Sequence, residues 1–471
     1  MSSIRLYNTL TREAEDLTPL QDKIVKLYTC GLTVYSQPHI GNWVAYIYWD
    51  ILVRMLRVSG YTVDRVQNIT DVGHLTSDGD AGEDKMLKGA LREGLSAWQV
   101  AEKYTSIADH EAFELLNLLH PEHMPRATDY IQQQIDFVKQ LEEKGYTYQI
   151  ADGLYFDTSK LENYGELARL DIAGLQFGAR VEDTGKKNPT DFAVWKFSNL
   201  AEKRDMEWDS PWGKGFPGWH LECSVMAREL LGDQIDIHTG GIDHIPVHHT
   251  NEIAQTEALT GKRFSKLWIH ANHIKVNGTK MSKSLGNIYT LQDIVDKGYD
   301  VEAFKLLVLS KHYQTEGNFT WENLDAAQNR LREIRAWADL RHQPSTDTMP
   351  KELDELFRDT KASMLTAMQD NLDSPAALVA LGKLMDYMSD IPIPGVEGEF
   401  TSNTLQFIED LLGIQLADRP DITTEQKQLI TERQKARDSR DWTASDNLRD
   451  KLKSEGIEVR DTAYGTQWYR S

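Results

Sequence analysis

Two cysteines, Cys30 and Cys223, are the only thiols in this chain of 471 residues. Downstream, the run HHTNE places His248 and Glu252 four apart, on one face of a helix. Two thiolates, an imidazole and a carboxylate make a closed four-ligand set for zinc. Such a site would be assembled from three distant segments. Cys30 also stands nine residues before His39 in CGLTVYSQPHIGN, a run that reads as a nucleotide-binding strand-to-helix turn. A thiophilic metal beside a nucleotide site points to an enzyme that activates a thiol substrate.

In that turn, Pro38 suits the tight bend and Gly41 allows a ligand to approach the backbone. His39 and Asn42 can donate to phosphate at the helix N-terminus. A second phosphate signal is KMSKS, Lys280 to Ser284 (Lys280, Met281, Ser282, Lys283, Ser284). Two lysines three apart, with hydroxyls between them, can neutralise a leaving polyphosphate. Gly278 and Gly286 flank the pentad and leave it room to move. Either motif alone reads as an ordinary capped helix or a solvated basic turn; the pair together does not.

The elements that must position these groups read as an α/β protein. IVKLY, from Ile24 to Tyr28, is a buried strand, followed by the PHIGN turn and an apolar helix over 43–58. YTVDRVQNITD then reads as a second strand, so the sheet is parallel. Residues 73–83, GHLTSDGDAGE, read as an exposed acidic loop. Helical patterns run over 84–145, short strands and turns over 153–191 (GLYFDT, FGARVED), and a sheet-like reading resumes with PGWHLECS, IDIHTGGID and LWIHANHIKVNG. After Ser284 the pattern is almost wholly helical, with linker-like runs at 342–350 and 391–398. The last unit, from Thr423, reads as two helices and a short strand over 456–459.

Composition sets the outer limits. Hydrophobic residues make up 40% and charged residues 27%, as in ordinary water-soluble proteins. No apolar run approaches the roughly 20 residues that span a bilayer, and MSSIRLYNTLTREAEDL lacks a secretory pattern. A cytoplasmic location is expected, with no disulfide framework. The net charge of −21 argues against nonspecific nucleic-acid binding. From Glu425 onward, however, ten Lys/Arg face nine Asp/Glu, leaving −22 on the remainder. That near-neutral end is the best approach for a polyanion.

With PHIGN and KMSKS in hand, the chain resembles the class I aminoacyl-tRNA synthetases, which carry HIGH and KMSKS elements, and within them the cysteine-specific family. Ordered matches extend along nearly the whole length: TCGLTVY, PRATDYI, GARVED, KNPTDFAVWK, SPWGKGFPGWHLECSVMA, DIHTGGID, HHTNEIAQTEA, KMSKSLGN, ARDSRDW, LRDKL, GIEVRDT and GTQW. HIGN stands where HIGH is usual, so Asn42 takes the second histidine's part. The 73–83 loop interrupts a run that is usually short.

The resemblance implies a Rossmann-type parallel-sheet catalytic domain in two halves, 1–119 and 206–275, with a connective insertion over 120–205. A KMSKS and stem-contact region over 276–341, a helical bundle over 342–422 and an anticodon-binding unit over 423–471 follow. It implies Zn2+ on Cys30, Cys223, His248 and Glu252, with His249 pointing elsewhere on its helix. ATP with Mg2+ would be held by Pro38, His39, Gly41, Asn42, Gly241, Asp243 and the KMSKS residues. His39, Asn42, Lys280 and Lys283 would carry catalysis. Trp219, Thr70 and His238 would line the cysteine pocket, His238 as a supporting group and not a ligand. Trp442, Asp446 and Asp461 would meet the anticodon. The implied reaction joins L-cysteine to tRNA(Cys) through an adenylate, in a monomer, with no editing site because zinc itself separates thiol from alcohol. A related family uses the same site to join cysteine to an amino sugar on the way to mycothiol, but lacks the anticodon-binding unit. A noncatalytic paralogue would lack the intact KMSKS and the full ligand set.

Overall fold

A short strand with both faces covered, Ile24–Thr29, is the centre of the molecule's principal sheet. In this computed structural model, residues 3–73, 85–170, 185–198, 204–282, 285–343, 351–389, 399–462 and 465–470 are described. The expected loop over 73–83 lies outside them except for Gly73. So do Lys283, Ser284, FGARVED, the 391–398 linker and most of the 342–350 linker. The chain divides into two compact units, residues 1–298 with 313–319, and residues 299–312 with 320–471.

In the first unit, Ile24–Thr29 pairs in parallel with Thr62–Gln67 on one side and Ile235–Gly241 on the other. Ser265–Ala271 completes the four-stranded parallel sheet. Val25, Leu27, Tyr28, Val66 and Ile237 are fully buried, as strands covered on both faces require. The crossover from the first strand to the second is the 19-residue helix Ile40–Val58. It buries an ion pair, Arg54 Nε to Asp50 Oδ2 at 2.7 Å, while Asp50 Oδ1 accepts from the Leu119 N–H at 2.8 Å.

A second, antiparallel sheet runs in the order Thr147–Ile150, Gly153–Phe156, Phe192–Phe197, Gly215–Pro217. Phe156 and Phe192, paired across its two middle strands, stack their rings 5.1 Å apart. Its last strand requires a glycine: a Cβ on Gly215 would stand 1.9 Å from the Lys196 carbonyl.

The PGWHLECS run is not sheet. Pro217 ends the strand, Gly218 caps the helix, and Trp219–Leu231 is helical. His220 to Ala227 are all buried, so burial all round erases the amphipathic period that marks a surface helix.

The second unit is mainly helical, with Val301–Leu309, Trp321–Ala338, Lys351–Gln369, Ser374–Ser389 and Glu399–Leu412. Helices Thr424–Asp438 and Trp442–Ser454 follow, then a hairpin of Ile457–Thr462 with Gly465–Arg470. Thr423 and Gln426 form a reciprocal capping box, with bonds of 3.2 and 3.0 Å. A small core of Ile422, Leu429, Leu452, Ile457 and Trp468 holds this end together. The hairpin's second strand, GTQWYR, went unread in the sequence because its apolar residues are few.

Candidate active site

The sheet order creates a switch point between Ile24–Thr29 and Ile235–Gly241, where successive connections leave in opposite directions. Open α/β sheets bind ligands at such a point, beyond the carboxyl ends of the strands. Here those ends deliver Cys30–Gly31 and Gly240–Gly241 to a cavity of about 450 Å3. Pro38, His39, Gly41 and Asn42 line it, together with Asp243, Lys280 and Met281. The sheet and its first crossover thus bring one thiol, the PHIGN turn, the GGID turn and the start of KMSKS to one space.

The PHIGN turn is braced from within. His39, in extended geometry, is the N-cap of Ile40–Val58, and its backbone N–H donates to Asn42 Oδ1 at 2.9 Å. Asn42 itself lines the cavity. The backbone N–H of Ile40 donates to the Tyr289 carbonyl at 2.8 Å, tying the helix start to the segment after KMSKS. The space beside Gly41 is filled from within the chain: a Cβ there would stand 2.2 Å from Met281 Cε.

KMSKS has a brace that its own residues do not reveal. Asn287 Oδ1 accepts from the Ser282 N–H at 2.9 Å, and its amide donates to the Lys280 carbonyl and to Thr279 Oγ1, both at 3.2 Å. Gly278 and Gly286 both adopt positive φ, 74° and 62°, which glycine allows without strain. The only sequence signal for Asn287 was its place in KMSKSLGN.

Cys30 lines the cavity, and its sulfur and the donor atoms of His248, His249 and Glu252 all lie within 4.8 Å of one another, all four residues buried. His248 Nε2 is 2.9 Å from Glu252 Oε1, and Cys30 Sγ is 3.9 Å from the same oxygen. Cys223, expected as a fourth ligand, is buried nearby but outside that set, with His249 in its place. Its sulfur lies 3.9 Å from Asn68 Oδ1, which also accepts the Gly31 N–H at 2.8 Å.

The expectation that His249 points elsewhere is corrected. Its Nε2 is 3.3 Å from Cys30 Sγ. Residues at i−4 and i−3 share a helix face with Glu252, so His248 and His249 both reach it. The wide π-helical turn Ile245–His249 leads directly into the α-helix Thr250–Thr260 and buries both imidazoles. Gly240 makes room: a Cβ on it would lie 2.5 Å from His249 Cε1, whereas one on Gly241 meets nothing. The steric demand in GGID therefore falls on Gly240, which sequence reasoning passed over.

His238 Nε2 is 3.0 Å from Glu252 Oε2, and its ring stacks on Trp268 at 4.4 Å. It orients the carboxylate from behind. Trp219 lies with its ring 4.3 Å from that of His248. Thr70 sits behind the cavity-lining loop, its carbonyl accepting from the Val34 N–H at 3.2 Å and its hydroxyl from Asn68 at 2.9 Å. Asp243 Oδ1 is 3.1 Å from His273 Nε2 at the cavity rim.

The buried donors perturb one another strongly. Burial opposes ionising Glu252, yet His238 and His248 hold its carboxyl far below the usual range. Burial likewise opposes charging His248, but Glu252 and Cys223 push it up to about 10. The hydrogen bond from Cys30 draws Cys223 down to about 6, while burial pushes the Cys30 thiol up. Buried sulfur, imidazole and carboxylate donors within 4.8 Å of one another fit a zinc ion.

In the second unit, Trp442 is 56% exposed, with the Arg437 guanidinium 5.7 Å from its ring. Asp446 is exposed beside Arg449 at 3.3 Å. Asp461 is engaged differently: Arg433 grips both its oxygens at 2.7 and 2.8 Å.

Among the described residues, no helix is long and apolar enough to cross a membrane. The family profile "tRNA synthetases class I (C) catalytic domain" matches residues 16–329, and "Cysteinyl-tRNA ligase anticodon binding domain" matches 419–470. The chain is 43% identical to cysteine--tRNA ligase 1 of Burkholderia lata, over 99% of this chain and 97% of that one. It is 39% identical to cysteine--tRNA ligase of Treponema denticola, over 99% of each. In fold it is similar to methionyl-tRNA synthetase of Mycobacterium tuberculosis in complex with methionyl-adenylate, with a TM-score of 0.59 at 14% identity, covering 83% of this chain and 92% of that one. A class I catalytic-domain profile over 16–329, an anticodon-domain profile over 419–470 and relatives matched end to end place this chain in the cysteine--tRNA ligase family of class I tRNA synthetases.

Proposed function

We propose that this chain joins L-cysteine to tRNA(Cys) at the expense of ATP, through cysteinyl-adenylate. The observation that carries this reading is the single cavity that Cys30 shares with His39, Asn42, Lys280 and Met281. A carboxylate oxygen of cysteine attacks the α-phosphorus of ATP. The bond to the β-phosphate oxygen breaks, and pyrophosphate leaves with Mg2+. A hydroxyl of the terminal tRNA ribose then attacks the adenylate carbonyl and AMP departs.

The protein's part is positioning and charge stabilisation. His39 and Asn42, at the N-terminus of Ile40–Val58, donate to the phosphates, with Pro38 and Gly41 shaping the turn. Lys280 and Lys283 neutralise the departing pyrophosphate, with Met281, Ser282 and Ser284 completing the loop. Gly241 and Asp243 hold the ribose of ATP. Trp219, Thr70 and His238 shape the cysteine pocket. Cys30, Cys223, His248 and Glu252 would hold zinc, which supplies an acceptor for a thiolate and little attraction for an alcohol. Trp442, Asp446 and Asp461 meet the anticodon, Asp461 together with Arg433 and with Arg437, whose Nη1 is 3.2 Å from it.

The anticodon-domain match over 419–470 supports tRNA over an amino-sugar acceptor. The test is cysteine-dependent ATP–pyrophosphate exchange followed by charging of tRNA(Cys). Exchange with no transfer to tRNA, but transfer to the amino sugar, overturns the acceptor assignment.

A further inference from the structure

We propose that Glu111, on a helix away from both signature motifs, is a positioning residue that holds the PHIGN turn in its nucleotide-binding shape. Its carboxylate accepts the indole N–H of Trp43 at 2.7 Å on one oxygen and the side-chain amide of Gln37 at 3.3 Å on the other. Gln37 immediately precedes Pro38 and Trp43 immediately follows Asn42. One carboxylate therefore grips both ends of the five-residue turn and fixes the distance between its entry and its exit.

The local backbone explains why this side chain reaches so far. The α-helix Ala97–Asp109 widens into a π-helical turn, His110–Leu115, in which Leu116 N–H donates to the Glu111 carbonyl at 3.0 Å. Such a turn re-aims side chains that an α-helix would send outward, and it recurs at functional sites. Here it leaves Glu111 only 4% exposed, on the same side as Ala112. Both recorded hydrogen-bond partners are neutral donors, so they satisfy the two oxygens without an ion pair across the contact. Trp43 is itself 1% exposed and cannot shift to follow a lost partner, whereas Gln37 lines the cavity and can. Loss of Glu111 therefore releases the entry side of the turn, where His39 stands two residues on. The same turn is fixed from its other side by the Ile40 N–H bond to Tyr289 and by Met281 against Gly41. Glu111 supplies the brace from below.

This inference rests on the proposed reaction, and its test separates the two. Wild type, Glu111→Ala, Glu111→Gln and Gln37→Ala are compared in cysteine-dependent pyrophosphate exchange, with KM for ATP and for cysteine measured separately, direct ATP binding by calorimetry, and zinc content. Glu111→Ala is expected to lower kcat/KM for ATP about ten-fold or more, with the cysteine KM and zinc content unchanged. Glu111→Gln is expected to recover to within about three-fold of wild type, because the Gln37 amide can turn to present its carbonyl to the new NH2 group. Gln37→Ala, at an exposed position, reports on the same brace if Glu111→Ala fails to fold. The proposal is overturned by wild-type ATP parameters in Glu111→Ala or Gln37→Ala, by parallel loss for ATP and cysteine, or by Glu111→Gln faring no better than alanine. Absence of exchange in the wild type would remove the proposed reaction, while calorimetric ATP binding would still decide the brace.

Discussion

Met281 Cε occupies the position beside Gly41, 2.2 Å from where a Cβ would be. The PHIGN and KMSKS runs, with Gly41 and Met281 240 residues apart in sequence, are thus in direct contact. Gly41→Ala must displace Met281 or bend the turn at His39, whose ring stands 3.1 Å from the same position. Exchange should fall by about ten- to a hundred-fold, with thermal stability changed by about 1 kcal/mol or less, since a flexible methionine end can yield. The double variant Gly41→Ala with Met281→Ala should regain part of the loss. Rates for the double variant no better than the single one would show that the damage lies in the turn alone.

Lys280→Ala and Lys283→Ala should each reduce exchange by about two to three orders of magnitude while sparing the cysteine KM. Lys280 lines the cavity and its carbonyl is held by Asn287, so its backbone is placed independently of its charge. Asn287→Ala should then mimic part of the effect without removing any cation. Full exchange in the two lysine variants would detach KMSKS from the reaction.

Zinc needs four donors; Cys30, His248, His249 and Glu252 lie within 4.8 Å of one another, and Cys223 is a fifth buried candidate. Metal analysis of the purified chain should give one zinc per molecule. Cys223→Ala and Glu252→Ala should weaken retention against a chelator severely, whereas His249→Gln should retain a full equivalent. His249 is already bonded through Nδ1 to His270 at 2.7 Å, and His270 to Thr9 at 2.7 Å, which suits a supporting group. Metal loss in His249→Gln, with retention in Cys223→Ala, would exchange their roles.

The Arg433 fork holds Asp461 below its ordinary 3.8, at about 2, and Thr466 adds a further hydrogen bond. A carboxyl depressed on folding stabilises the folded state above its unfolded pKa. That stability is lost as the pH falls through the folded value, here between about 4 and 2. The contribution at neutral pH is up to about 2 kcal/mol, reduced by screening at a partly exposed carboxylate. Asp461→Asn should therefore be less stable than the parent at pH 7 and equal to it near pH 2, as read by urea unfolding. An equal deficit at both pH values would mean that the pair acts through packing and not charge.

The parallel sheet was legible because IVKLY and YTVDRVQ are short, β-rich and set either side of an apolar helix. The donor set and both phosphate motifs were legible because their residue types are chemically specific. His249, Gly240, Asn287 and Glu111 were not. Their parts depend on backbone turns, two of them π-helical, whose widening cannot be read from a 3.6-residue period. Trp219–Leu231 was hidden for the opposite reason, since a helix buried on every side shows no period at all.

Cys30 and Glu252 touch across 222 residues of chain. During synthesis at about 5–20 residues per second, Cys30 is translated roughly ten to forty seconds before Glu252 exists. For most of that interval Cys223 has not been made either, so Cys30 has no thiol of its own chain to oxidise against. The order of these residues along the chain thus defers any internal disulfide until two of the four parallel strands have been made, and the full donor set until three have.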